Sequence, residues 1–195
     1  MWLNMRELGV DVLITAPQKG WTSTPCAGIV MLSDRAVDAI ADTQSTSFAC
    51  DLKQWRGIMQ RYEEGGHGYY ATMPTDGLRV FRDVMHEAAE LGFDALNAKQ
   101  IELGQQIRAV CAKRWQSLVV PEFASPSVVV CYANNDDEHK GRAFAQLGMQ
   151  IAGGVPLQCN EAQPFKTFRI GLFGFDKLMN IDETVSTFTD VVSRL

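Results

Sequence analysis

The sequence predicts an α/β fold, and three observations carry the prediction. Short, β-branched apolar runs recur: GVDVLIT at 9–15, AGIVMLS at 27–33, SVVVCYA at 127–133 and FKTFRIGLF at 165–173. Their length and composition are those of strands. Between and after them lie stretches with apolar residues at three- and four-residue steps, the signature of amphipathic helices. The chain closes on a strand–helix–strand–helix alternation, the order of a compact α/β sandwich.

Taken in order, the first two runs are almost continuously apolar, as expected of strands covered on both faces. The residues between them include Pro17, Lys19, Gly20 and Pro25 and form a loop at the strand ends. Residues 62–74, YEEGGHGYYATMP, are rich in glycine with aromatic interruptions, which reads as a shaped loop and not a helix. A helix follows. Thr75 or Asp76 can cap it, Leu78, Phe81, Met85 and Ala88 recur on one face, and Gly92 can end it. A second helix is expected from about 94 to 115, with Leu96, Leu103, Ile107 and Val110 on one face. Together the two resemble a connector between domains, so the chain divides into 1–93 and 94–195. Beyond it, SLVVPEF at 117–123 is strand-like as well, and NNDDEHKGR at 134–142 reads as a solvated loop or helix start. Asp136, Asp137 and Glu138 form a solvated charge run in this reading. Residues 182–195 give a last helix, with Val185, Phe188, Val192 and Leu195 on its apolar face.

The composition narrows the function. The chain has 195 residues, 46% apolar and 21% charged, the balance of a globular protein. Its formal net charge of -5 argues against a general electrostatic affinity for nucleic acid or anionic lipid. No apolar run reaches the ~20 residues a membrane helix needs. The opening MWLNMRELGVDV lacks a basic region followed by an apolar core, so no secretory signal is expected. The five cysteines, Cys26, Cys50, Cys111, Cys131 and Cys159, are odd in number and contain no C-x-x-C. Free thiols in a reducing cytoplasm are expected, with Cys131 a buried small hydrophobe. The terminal SRL resembles a peroxisomal address, relevant only in a eukaryote. His67, His86 and His139 lack metal-ligand spacing, and no metal site is expected. GGHG at 65–68 lacks the Lys-Ser/Thr of a phosphate loop.

Lys19 raises the chemical question. A lysine amine is protonated in water and is then no nucleophile, but desolvation lowers its pKa. Held in a loop beside buried strands it can bond a carbonyl carbon as an imine, and the commonest biological use of that bond is pyridoxal phosphate. The plain alternative is a solvated turn lysine. The local sequence alone favours that alternative, because loop lysines are common.

The wider pattern reverses the balance. DVLITAPQKGW…PCAGIVMLS closely resembles the lysine segment of class V, fold-type I pyridoxal-phosphate aminotransferases, particularly the alanine–glyoxylate and serine–glyoxylate group. The resemblance implies that Lys19 is the catalytic, cofactor-bonded lysine and that Gln18 helps hold the cofactor. GYYATMP resembles the family's Tyr-x-x-Thr-x-Pro loop. It implies that Tyr69 and Thr72 reach across a dimer interface to the cofactor phosphate of the other subunit. Two hydroxyl donors suit a phosphate, and Gly65, Gly66 and Gly68 let backbone approach closely. KTFRIGLFG resembles the family's (L/F)-R-I-G strand and implies that Arg169 clamps the substrate's α-carboxylate. A planar guanidinium grips a carboxylate with two parallel hydrogen bonds.

The resemblance runs over essentially the whole chain and implies a particular fold: the C-terminal half of a fold-type I transferase. That half comprises the end of the parallel large-domain sheet, represented by its last two strands, plus the small α/β sandwich domain. Full enzymes of the class are about twice as long, with the lysine near mid-chain. The aromatic ring that stacks on the cofactor and the aspartate that pairs with its ring nitrogen lie upstream there. Asp11 does not match that aspartate. The chain therefore reads as a truncated form, a split-gene subunit or a fragment. The implied reaction is amino transfer from an alanine- or serine-like donor to a glyoxylate- or pyruvate-like ketoacid, with pyridoxal 5'-phosphate as cofactor. The implied partner is a second copy or a complementary N-terminal half, with no nucleic acid and no membrane. Two other readings stand beside it: a catalytically inactive remnant or dimerising module of the same fold, and a class V lyase or cysteine desulfurase. The desulfurase is the poorer match, since Gln18 and not histidine precedes the lysine and no cysteine lies in an obvious mobile catalytic loop. Trp21 is expected in the core.

Overall fold

A computed structural model describes residues 3–195. The chain forms two compact units, one ending at Met85 and one running from His86 to Leu195. The division falls inside a helix, whereas the sequence reading placed it at 93/94.

In the first unit, α1 (Met5–Leu8) is capped by the Asn4 side chain and closed by Gly9 in the left-handed region. β1 (Val12–Thr15) and β2 (Ile29–Leu32) follow, paired from Val12↔Leu32 to Thr15↔Ile29. This pair corrects the expectation of parallel strands covered on both faces. It is antiparallel, because the chain returns through a loop with no crossover helix. Side chains alternate across the ribbon, and Val12 and Ile14 on one face are 48% and 72% exposed. Asp11 locks the end of the ribbon. Its backbone carbonyl accepts from the Ser33 amide, and its carboxylate accepts from the Ser33 hydroxyl at 2.7 Å and from Arg35. Arg35 foremost, then Ser33, hold the Asp11 carboxyl below its ordinary range. Ser33 Oγ also caps α2 (Asp34–Ala41) by accepting from Ala36 N. α3 (Leu52–Glu63), capped by Asp51, was not foreseen; Gly57 interrupts its pattern. α4 (Thr75–Leu91) begins where expected, but Leu78 N donates to Pro74 O, so Thr75 and Asp76 lie inside the first turn and do not cap it.

The second unit opens on the end of α4 and on α5 (Phe93–Cys111). It continues with β3 (Val128–Tyr132), α6 (Asp136–His139), α7 (Arg142–Gln146), β4 (Ala152–Gly153), β5 (Thr167–Gly171), α8 (Phe175–Met179) and α9 (Ile181–Arg194). The sheet order is β3-β5-β4, with both pairs antiparallel. The register sets Val129 opposite Ile170 and Cys131 opposite Phe168. All four are buried, as are Leu103 and Ile107 of α5, which packs on β3, and Phe188 of α9, which packs on α5. Burying each such side chain contributes about 1.5–3 kcal/mol. Arg169, Val130 and Tyr132 alternate onto the opposite face, which is more open. Gly104 lets α5 press on the chain before β3, since a Cβ there would lie 2.4 Å from the Pro126 carbonyl oxygen.

Several expectations change here. Residues 117–123 are not a strand. Ser117 forms one bridge to Cys131, after which Pro121, which has no amide to donate, opens a 3₁₀ turn. The second helix stops at Cys111, and Trp115 beyond it enters the core against Phe144 and Phe168. β4 has only two residues and no strand-like composition. On α9 the most buried residues are Ile181, Phe188 and Val191, while Val185 and Val192 are half-buried. Asp136 and Asp137 are exposed as expected, but Glu138 is 1% exposed and tied to Trp115, Asn134 and Arg114.

Candidate functional site

The turn after β1 carries the lysine. Pro17 is buried and anchors it; Gln18, Lys19 and Gly20 are exposed. The Thr22 amide donates to Lys19 O at 2.9 Å and the Ser23 amide to Pro17 O at 3.0 Å, closing the turn twice. This closure forces Thr22 to φ 61°, a left-handed conformation that is costly for a β-branched residue, about 1–3 kcal/mol. The next residue, Ser23, buries its hydroxyl with no hydrogen-bond partner. Strain and an orphaned polar atom thus fall within four residues of Lys19, and neither was read from the sequence. The flanking prolines and the Thr-Ser pair were the available signal. α4 supports the turn from the other side. Trp21 lies edge-on to Phe81 at 5.7 Å, half-buried, and Gly77 lies so close that a Cβ would be 2.7 Å from Cys26 Cβ.

The loop between α3 and α4 presents two hydroxyls. Tyr69 Oη and Thr72 Oγ1 are 3.0 Å apart, and the Tyr69 side chain is 75% exposed. Its neighbour Tyr70 does the anchoring: it donates to Phe48 O at 2.7 Å and packs on Phe48 and Trp55. Tyr62 of α3 holds the loop from below by donating to Gly68 O at 3.1 Å. Gly68 sits close to α3, since a Cβ would come within 3.0 Å of Ile58 Cδ1 and 3.1 Å of Arg61 Cδ, side-chain ends that would have to shift. The two tyrosines, alike in sequence, therefore divide into one packing residue and one presented phenol. Two converging hydroxyls can donate to a tetrahedral oxyanion.

In the second unit Arg169 occupies the middle strand of the sheet, opposite Val130 and Ala152. Its Nε donates to Gly153 O at 3.0 Å, which leaves the terminal nitrogens as the guanidinium's further donors. β4 is drawn against β5 by Gly154 N donating to Thr167 O at 2.8 Å. His139 Nδ1–H donates to the same carbonyl at 2.7 Å, which fixes its tautomer, because a carbonyl only accepts. A Cβ on Gly154 would lie 1.9 Å from Thr167 Oγ1, so only glycine permits this approach. The structure thus joins Tyr69 to Thr72 directly and sets Gln18 and Lys19 in one turn of the first unit. Arg169 belongs to the second unit. Among the described residues no group of three metal-binding side chains converges.

No protein-family model matches the chain. It is 27% identical to a 2-aminoethylphosphonate–pyruvate transaminase of Phocaeicola vulgatus over 198 residues, covering 94% of this chain and 51% of that protein. It is 31% identical to alanine–glyoxylate aminotransferase 1 of Saccharomyces cerevisiae over 90 residues, 44% of this chain and 23% of that one. Among solved structures, pyridoxamine–pyruvate aminotransferase from Mesorhizobium loti superposes with a TM-score of 0.78 at 16% identity, over all of this chain and 49% of that one. The chain thus spans about half the length of the curated relatives it matches. Its fold is the C-terminal half of a fold-type I aminotransferase, and the class V resemblance read from its motifs is borne out.

Proposed function

We propose that this chain supplies the lysine-bearing half of a pyridoxal-phosphate-dependent aminotransferase acting on a small amino acid and a small 2-oxo acid. The observation that carries the reading is the lysine turn. Thr22 is strained and Ser23 Oγ orphaned beside an exposed lysine, as befits a segment shaped for a ligand and not for its own packing. The residues present fit the cofactor. Lys19 offers a primary amine, Gln18 an amide beside it, and Tyr69 with Thr72 a hydroxyl pair for a phosphate. When bound, pyridoxal phosphate supplies the electron sink for a carbanion at the substrate's Cα. Lys19 Nζ would hold the cofactor and would move the proton at the substrate's Cα. Arg169 would take the amino acid's carboxylate, its Nε held by Gly153 O and its terminal nitrogens the remaining donors. A donor of the alanine or serine kind and an acceptor of the glyoxylate or pyruvate kind suit these residues. The exposed Tyr69–Thr72 pair serves the phosphate of a second copy. A complementary N-terminal half supplies the groups that contact the ring.

The test is a visible absorbance scan of the chain mixed with pyridoxal phosphate, followed by borohydride reduction and peptide mass mapping. The expected result is a new absorbance band and a pyridoxyl group fixed on Lys19, absent in Lys19→Ala. Label scattered over Lys53, Lys99, Lys113 and the other lysines, with Lys19 no more modified than they are, would refute the assignment. The chain would then read as an inactive or dimerising module.

A further inference from the structure

His139 stands where α6 meets both β4 and β5. Its Nδ1–H donates to Thr167 O at 2.7 Å, and the same carbonyl accepts from Gly154 N at 2.8 Å. The His139 carbonyl oxygen lies against β4, since a Cβ on Gly153 would come within 3.0 Å of it. Gly153 in turn offers the carbonyl that accepts from Arg169 Nε at 3.0 Å. One residue thus touches both the strand that carries the guanidinium and the strand that holds it. β4 is two residues long and lies at the edge of its sheet, so its own ladder supplies few bonds to keep it in place. α6, by contrast, is firmly fixed. Glu138 is buried and accepts from Trp115 Nε1, Asp136 pairs with Lys166 Nζ at 2.6 Å, and the Ala133 amide ahead of the helix donates to Lys166 O at 2.9 Å. The imidazole therefore reaches β5 from a braced turn. Nothing in the proposed amino transfer has yet used it.

We propose that His139 is a positioning residue for Arg169: its Nδ1–H, through the Thr167 carbonyl, keeps β4 seated on β5 and so keeps Gly153 O where it fixes the guanidinium plane. The fixing matters chemically. A guanidinium grips a carboxylate with two parallel hydrogen bonds, and groups that bind so must be held within about 0.5 Å and 10–20° of the productive geometry. The bond needs a proton on Nδ1. Neutral imidazole in this tautomer and imidazolium both carry one, so the brace persists in either charge state of the ring. The consequence for a carboxylate rests on the proposed reading of Arg169 as the substrate's clamp; the consequence for the guanidinium does not.

The test is NMR on the full chain. In the unsubstituted protein, at a pH where the ring is neutral, His139 should carry its proton on Nδ1 and none on Nε2. With all variants at one pH, His139→Ala should speed exchange of the Arg169 Nε proton and the Gly154 amide roughly fivefold, the ratio that one net hydrogen bond represents. The amides that join β3 to β5 should keep their parental rates, whereas a general loss of stability would move all of these protons together. His139→Asn, whose side-chain NH₂ can donate from nearly the same place, should restore most of the protection. Pyruvate, titrated as the carboxylate probe, should shift the Arg169 Nε signal and do so more weakly in His139→Ala. A proton on Nε2 in place of Nδ1, unchanged Nε exchange in His139→Ala, or an asparagine variant as fast as the alanine one would each overturn the proposal. The tautomer is read on the unsubstituted chain, so it decides even where a variant fails to fold. An Arg169 signal that responds to His139 but not to pyruvate would support the positioning and refute the clamp.

Discussion

Replacing Glu138 by alanine removes a carboxylate that the sequence presents as one of three solvated acids. In the fold it accepts from Trp115 Nε1 at 2.9 Å and from the Asn134 amide at 2.8 Å, and it pairs with Arg114 at 3.3 Å. Trp115 is 4% exposed, so its indole N–H has no route to water once the carboxylate is gone. Hydrogen bonds to a charged acceptor are each worth about 1.5–3 kcal/mol net, and a stranded buried donor costs about 1–3 kcal/mol. The Asn134 amide belongs to an exposed residue and can regain water, and the Arg114 side chain is 36% exposed, so neither adds the full amount. The expected loss is therefore about 3–4 kcal/mol. Trp115 also lies 5.0 Å from Phe168 and 5.9 Å from Phe144, so loosening it reaches the aromatic cluster beneath β5. Glu138→Gln keeps one acceptor but turns an NH₂ toward a donor, and should fall between the two. Urea titration with amide exchange of β3 and β5 reads the second unit alone. A Glu138→Ala variant within about 0.5 kcal/mol of the parent chain, the range of ordinary surface substitutions, would refute this account and restore the solvated charge run.

Two further outcomes follow from the same unit. Gly154→Ala places a methyl 1.9 Å from Thr167 Oγ1 and 2.4 Å from its carbonyl oxygen, so β4 must lift from β5. The expected loss is about 2–3 kcal/mol from strain and the broken Gly154–Thr167 bond, with faster exchange of the Arg169 Nε proton by NMR. Unchanged Nε exchange would mean that β4 does not hold the guanidinium. Glu161 accepts from the amides of Leu157, Gln158 and Cys159, and its own backbone amide first, then those of Cys159, Gln158 and Leu157, lower its carboxyl to about 2. A depressed carboxyl stabilises the loop above its ordinary pKa and loses that contribution as pH falls toward about 2. Protection of those three amides should therefore be constant at neutral pH and fall between about pH 4.5 and pH 2, whereas Glu161→Gln should show weak protection throughout that range.

What was legible in the sequence and what was not divides along a physical line. Periodicity within one element survives in the sequence, so the two long helices and the strands around Cys131 and Arg169 could be read with small errors at their ends. The motif-bearing residues Lys19, Tyr69, Thr72 and Arg169 stood out for another reason: their types and order resemble those of a known family, which local chemistry alone would not have suggested. What escaped depends on contacts between elements. Glu138 looks like its neighbours Asp136 and Asp137 until Trp115, distant in the chain, supplies its donor. β4 carries no strand composition, because its role is set by Gly154, the glycine after it that lets Thr167 approach. Tyr69 and Tyr70 differ only in what Phe48 and Trp55 offer the second of them. The direction of the β1–β2 pair was misread because apolar composition reports burial and not strand direction. In the lysine turn, Thr22 and Ser23 are ordinary loop residues by sequence. Only closure of the turn onto Pro17 and Lys19 forces one into strain and deprives the other of a partner, so the strongest structural mark of the site is the one that composition conceals.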